Sequence, residues 1–293
     1  MKMQFFLNEE SLKGQFKSLE DFVKNDLNDV CRCINLINKS SNQILTKISD
    51  FYKAPITNKE CVADLRCIGC TDELLRLRQI LDSEVYDEPY WDKEDIRQNL
   101  NSEYIWNDED VTATSMAEAA ENNSPLISFS REGLINKEII ICEMVQSKDY
   151  HIDSIHDDKY LIEKYSTIIE LSRIDYLRIR YRGTRLNFSQ FEEKYGTTEL
   201  SSMTSNDFKI LVNTFDKFVG HVSFESIGLD DGLEYKKYSP SQKYHNKFAS
   251  AKYKNKVIMK FRFTQKKRVF GYRKDDIFYV LRLEMDHSVS DFG

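Results

Sequence analysis

The residues of this chain best equipped for chemistry on a phosphate lie toward its carboxyl end. Arg262, Arg268 and Arg273 are guanidiniums that can steady charge building on a phosphate, and His287 is an imidazole that needs only a modest shift to donate a proton near neutral pH. Lys260 and Arg282 add cations beside Phe and Tyr residues, the combination of charge for phosphates and rings for bases that a nucleic acid asks for. From Lys236 to Gly293 there are 15 Lys/Arg against 5 Asp/Glu, a surplus of +10 in a chain whose total is −6. A second basic strip, Tyr176 to Arg185, holds Arg178, Arg180 and Arg182 at alternate positions, which on a strand would put all three on one face. The competing reading is plain solvation: charges on an open sheet face keep its edges soluble and pair with acids elsewhere in the chain.

Other constellations are incomplete. Cys61, Cys67 and Cys70 contain one Cys-x-x-Cys half of a zinc site, but no histidine precedes His151, and Cys31 and Cys33 would have to fold back to supply the rest. Between Asp82 and Glu121 stand 13 acidic residues against Lys93 and Arg97, with Tyr86, Tyr90, Trp91, Tyr104 and Trp106 among them. Such a segment can imitate a phosphate surface, engage a basic partner or hold a divalent ion, although the glycine of an EF-hand loop is missing. Ser115 and Glu118 have the spacing of a capping box, with no catalytic second half. His151 and His156 miss the four-residue helical step that sets two imidazoles on one metal. Asp230, Asp231, Glu234 and Lys236 contain the acid-x-Lys element of metal-dependent nucleases, but adjacent acids between glycines make an ordinary turn equally well. No metal site is assigned, and the cofactor is unknown: the chain has no P-loop, no dinucleotide fingerprint and no Gly-x-Ser-x-Gly elbow.

The elements that must position these groups read as an α+β fold. Lys2 to Leu7 is a short strand, and Ser18 opens a helix whose Leu19, Phe22, Val23, Leu27, Val30, Cys31, Ile34 and Ile37 form one apolar face. A small-residue helix at Val111 to Glu121 leads into strands at Pro125 to Ser130 and Glu138 to Met144, an α/β layer. A helix opened by Ser205-Asn206-Asp207 carries Phe208, Leu211, Val212, Phe215, Phe218 and Val219. The last forty or so residues, from Val257, alternate as an antiparallel three-stranded meander. In its third strand Ile277, Tyr279, Leu281, Leu283 and Met285 are expected to face the core, with Phe278 opposite. The organisation expected is an α/β region at 1–150 containing the acidic segment 82–121, a mainly helical region at 151–232 and a basic sheet at 233–293.

The runs KFRF at Lys260–Phe263 and RVFGYR at Arg268–Arg273, with a last strand ending in Asp286-His287, resemble the C-terminal sheet of small bacterial toxins of the RelE/ParE/HigB type. In that group RelE and HigB members cleave messenger RNA on the ribosome and ParE members poison gyrase. The resemblance covers about a fifth of the chain and implies phosphate contacts for Arg262, Arg268 and Arg273, a stacking or acid role for Tyr272 and a proton donor in His287. It also implies a helical hairpin ahead of the sheet, which is not legible between Asp231 and Val257. The whole chain has the look of bacterial proteins that travel with phage-defence or mobile elements. The function expected is therefore a nucleic-acid-acting effector, with RNA or DNA as partner and nuclease activity as one outcome. The alternative is a protein-binding subunit that meets a partner, such as an ATPase or nuclease subunit, through the acidic segment. Apolar runs fall short of a membrane span, the start is too short for a signal peptide and six cysteines suit reduced thiols, so a cytoplasmic setting is expected.

Overall fold

In the computed structural model the described residues are 3–67, 72–93, 96–192, 200–240 and 246–286. They form an α+β protein that divides at Leu171/Ser172 into two compact units. The boundaries expected near 150 and 232 cut through packed structure. The strand Lys148–Ile155 lies inside the first sheet, and the helix Ser205–Gly220 packs on the second.

The first unit is built on β1 (Met3–Asn8), β2 (Gln43–Thr46), β3 (Tyr104–Trp106), β4 (Glu109–Asp110), β5 (Leu126–Ser128), β6 (Lys137–Glu143) and β7 (Lys148–Ile155). Their order in the sheet is β2-β1-β5-β7-β6-β3-β4. β1 runs parallel to β2 and β5, and β5 parallel to β7, whereas β6, β3 and β4 pair antiparallel. Phe5, Phe6 and Leu7 are all buried, as a central parallel strand covered on both faces requires. On the chain between β1 and β2, Ser18 caps α1 (Leu19–Phe22) by accepting from the Asp21 N–H, and a π-helical turn at Val23–Leu27 joins it to α2 (Asn28–Lys39). α3 (Asp72–Tyr86) follows. α4 (Ser115–Glu121) buries Met116, Ala117, Ala119 and Ala120 against Phe6, Leu126, Ile139 and Ile152, and the alanines allow that close approach. Its N-cap is Thr114 rather than Ser115. α5 (Asp158–Tyr165) closes the unit.

The second unit corrects the strip YLRIRYR: it is the helix α6 (Arg173–Arg180), not a strand. Ser172 caps it by accepting from the Asp175 N–H, and burial of Leu177 and Tyr181 at the helical step of four overrides the alternation of arginines. Arg178 and Arg180 therefore do not share a strand face. After β8 (Leu186–Asn187) come α7 (Ser205–Gly220), capped by Thr204, and α8 (Phe224–Gly228). A sheet of β9 (Lys236–Lys237), β10 (Ile258–Arg262), β11 (Arg268–Lys274) and β12 (Ile277–Glu284) follows, ordered β8-β12-β11-β10-β9. The three long strands form the antiparallel meander, and β8 adds in parallel to β12.

Both faces of this sheet are buried. Leu211, Phe215 and Phe218 of α7 pack on Phe261, Val269, Phe278, Val280 and Leu283, while Tyr238, Phe248 and Tyr253 cover Ile258, Phe270, Tyr272 and Leu281. The register slips between Phe270 and Gly271, which pair with Arg282 and Val280, so Leu281 is an extra residue on β12. The slip splits the expected facing: Leu283 and Met285 pack on the α7 core as expected, but ahead of the slip Phe278 and Val280 enter that core while Tyr279 and Leu281 turn to the other face.

Gly271 sits at the slip, where an added Cβ would lie 2.3 Å from the Tyr279 carbonyl oxygen and 2.5 Å from the Phe278 ring. Gly271→Ala is expected to cost about 2–3 kcal/mol, read as a lowered urea midpoint with an unchanged slope. An unchanged midpoint would show that the slip has room to relax.

Candidate functional site

The arginines expected to grip phosphate are already engaged. Arg262 donates from Nη1 to Glu234 at 2.7 Å and from Nε and Nη2 to the carbonyls of Gly232 and Asp231 at 3.0 and 2.9 Å. Arg268 ties down its own turn by donating to the carbonyls of Thr264, Gln265 and Lys267. Arg273 lies 4.1 Å over the Phe224 ring and donates to the Asp275 carbonyl at 2.7 Å. Arg282 forms a two-point contact with Glu192, at 3.0 and 2.9 Å, and stacks 4.5 Å over Phe248. Arg180 makes a similar fork on Asp216, and Arg178 meets Asp175 at 3.2 Å. Arg182 is exposed just beyond α6. Lys260 is buried beneath Tyr238, where desolvation and the charge of Lys236 pull its pKa below the ordinary lysine value. Tyr272 is buried and stacks on Tyr279 with centroids 4.9 Å apart. His287 lies outside the described residues, so nothing places it beside Tyr272 and Arg273.

The cations left for a ligand are lysines that the sequence reading passed over. A cleft of about 500 Å³ opens beside β9 and the start of β10, lined by Lys237, Lys254, Lys256, Tyr238, Phe248 and Tyr253 among others. Lys237 and Lys254 are exposed, and Lys256 is half-buried 4.0 Å over the Tyr272 ring. Among the described residues none of the three meets a carboxylate, in contrast to Lys252, which is held by Glu192. The signal was present in the run Lys252-Tyr253-Lys254-Asn255-Lys256, where cations alternate with other residues outside any strand.

In the first unit the strand order reverses between β1 and β5, and the polar residues gather at the carboxyl ends of those strands. Asn8 donates to Ser128 Oγ at 3.0 Å, Ser154 Oγ lies 2.8 Å from the same hydroxyl, and the Ser130 N–H and hydroxyl both donate to Asp26. Asp26 comes from the π-helical turn, and burial raises its pKa. His156 Nδ1 is 3.1 Å from the Ser128 carbonyl, an acceptor only, so that nitrogen carries the proton. The Ser130 proton points at Asp26, so this knot braces the strand ends rather than presenting an activated hydroxyl.

The acidic segment is largely occupied within its own unit. Asp92 accepts from the Ser49 N–H and hydroxyl, Glu118 from the Arg97 and Gln98 N–H groups, and Glu121 from the Tyr104 hydroxyl. Glu109 is clasped by Lys13 and Arg131. Asp230, from the acid-x-Lys element, accepts from Lys217, His221 and the Gly232 N–H; the Lys217 bond above all holds its carboxyl down to about 2. His151 is exposed beside Glu138. Among the described residues no three His, Cys, Asp or Glu converge as a metal site, while Cys70 and the side chain of Cys67 lie outside them. Nor does any helix among the described residues have the length and apolarity to cross a membrane.

No family model matches the sequence, no curated protein matches it, and no solved structure matches the fold.

At the end of β1, Glu9 accepts from the Ser115 N–H at 2.7 Å, its other carboxylate oxygen is buried without a partner among the described residues, and burial pushes its pKa up to about 7. A carboxyl raised from 4.5 to about 7 stabilises the folded chain most below 4.5, and that contribution is lost as pH climbs through 7, because the folded state then holds the extra proton. Thermal melts from pH 5 to 8 (about the span over which the group titrates) are expected to show falling stability with rising pH, and Glu9→Gln to flatten the trend. A trend unchanged by that substitution would assign it elsewhere.

Proposed function

We propose that the unit Ser172–Gly293 binds RNA or DNA, as the nucleic-acid-acting part of a bacterial phage-defence or toxin-like effector. The contact is the lysine and tyrosine cleft, not the arginine face of the sheet. The observation that carries the reading is the division of labour among the cations: Arg262 and Arg282 are bonded to carboxylates of their own unit, whereas Lys237, Lys254 and Lys256 line an open concavity and meet no carboxylate among the described residues. An ammonium on a flexible stem makes a point contact with phosphate, and lysines spaced along a cleft track a backbone without reading sequence. The order of elements also supports the resemblance to RelE-type toxins. Two helices, α7 and α8, precede the long strands, and both end ahead of Asp231. Cleavage on this reading needs a proton donor, the role that the resemblance gives to His287.

Fluorescence anisotropy with a labelled single-stranded oligonucleotide, titrated against salt, tests the reading. Lys254→Glu/Lys256→Glu is expected to weaken binding roughly tenfold or more and to reduce the slope of log affinity on log salt by about 1.4, the loss of two phosphate contacts. Arg178→Gln is expected to change affinity less than about twofold, because its guanidinium is paired and peripheral to the cleft. Equal effects of the two substitutions, or no binding by the unaltered chain, would remove the reading.

A further inference from the structure

The first unit holds a concavity that the nucleic-acid reading does not use. Beside the β3–β4 turn and the start of β6 lies a cleft of about 740 Å³, walled by Trp106, Arg131, Gly133 and the first residues of β6. Its volume lies within the roughly 300–1,000 Å³ of ordinary binding pockets.

Charge decides what it would accept. Arg131 is engaged: it donates to Glu109 and to the Glu10 carbonyl, and it lies 5.1 Å over the Trp106 ring. Lys13 closes on the other oxygen of Glu109. Lys137 is then the remaining cation of a wall that also carries Glu132 and Glu138, and Asp108 lies in the β3–β4 turn between the lining residues Asn107 and Glu109. Among the described residues none of these three carboxylates meets a lysine or arginine, and the contact of Glu138 is His151, at 3.0 Å. Ile140, on the same wall, is 47% exposed. Residues 1–171 carry 19 Lys/Arg against 33 Asp/Glu, a net of −14, so the field of the unit reinforces the local sign.

We propose that this cleft docks a basic segment of a partner polypeptide, its lysine or arginine side chains meeting Asp108, Glu132 and Glu138 while a branched aliphatic residue lies on Ile140. A polyanion is repelled from the same wall, so the cleft and the lysine cleft of the second unit select opposite ligands.

The probe is a fluorescein-labelled hexapeptide of alternating arginine and isoleucine, measured by anisotropy against the full chain at physiological ionic strength. Asp108→Lys/Glu132→Lys/Glu138→Lys is expected to lose roughly tenfold or more in affinity. A control reversal of the exposed Glu20, Glu88 and Glu163 to lysine gives the same net charge away from the cleft, and is expected to stay within about twofold of the unaltered chain. The single change Glu132→Lys, at an exposed position, is expected to weaken binding by roughly threefold with an unchanged circular dichroism spectrum. Equal losses in the two triple variants, or undiminished binding by the cleft variants, would overturn the proposal.

Discussion

Burial of both faces of the C-terminal sheet is the constraint from which the second unit takes its character. One face packs on α7 through Phe261, Phe278 and Val280, and the other is roofed by Tyr238, Phe248 and Tyr253. Each large side chain so buried contributes about 1.5–3 kcal/mol, which outweighs the preference of single arginines for water. A guanidinium on such a sheet must find a partner or reach the rim. Arg282 illustrates the first solution. It is nearly closed off with Glu192, and removing either member of such a pair costs about 3–5 kcal/mol because the other charge stays behind. The exposed lysines along 236–256 illustrate the second.

The first unit meets a different constraint. A central parallel strand has no wet face, so its polar residues collect where the strands end, and there Asn8, Ser128, Ser130 and Asp26 satisfy one another. The π-helical turn matters because it sets Asp26 over the end of β5. Carboxylates that look like a binding tract in the linear chain are mostly caps and braces in space. Asp92 holds Ser49 and Glu118 holds the Arg97–Gln98 turn, and what remains for a partner is the cleft rim around Glu132 and Glu138.

Much of the architecture was legible in the sequence because it rests on local rules. The Ser18 cap, the apolar face of Val30, Ile34 and Ile37 and the alternation of β10 all follow from period and capping, and all are present. The failures have physical causes. In YLRIRYR an alternating pattern competed with a helical one, and the Ser172 cap with Leu177 and Tyr181 turned inward decided it. The facing of β12 ahead of Leu281 differs from the expectation because that one inserted residue breaks the period of two, whereas Leu283 and Met285 beyond it face the α7 core as expected, and such a slip leaves no compositional trace. The engagement of Arg262 and Arg282 was not legible because Glu234 and Glu192 lie 28 and 90 residues from the arginines they hold, pairings set by tertiary structure alone.

The most direct measurement is amide hydrogen exchange of the full chain with and without a saturating single-stranded oligonucleotide. Slowed exchange should appear along 236–240 and 246–258 and spare α6 (Arg173–Arg180). Protection centred instead on that helix, or on the arginine-bearing turns at 264–268 and 273–276, would contradict the assignment of phosphate contacts to the lysines.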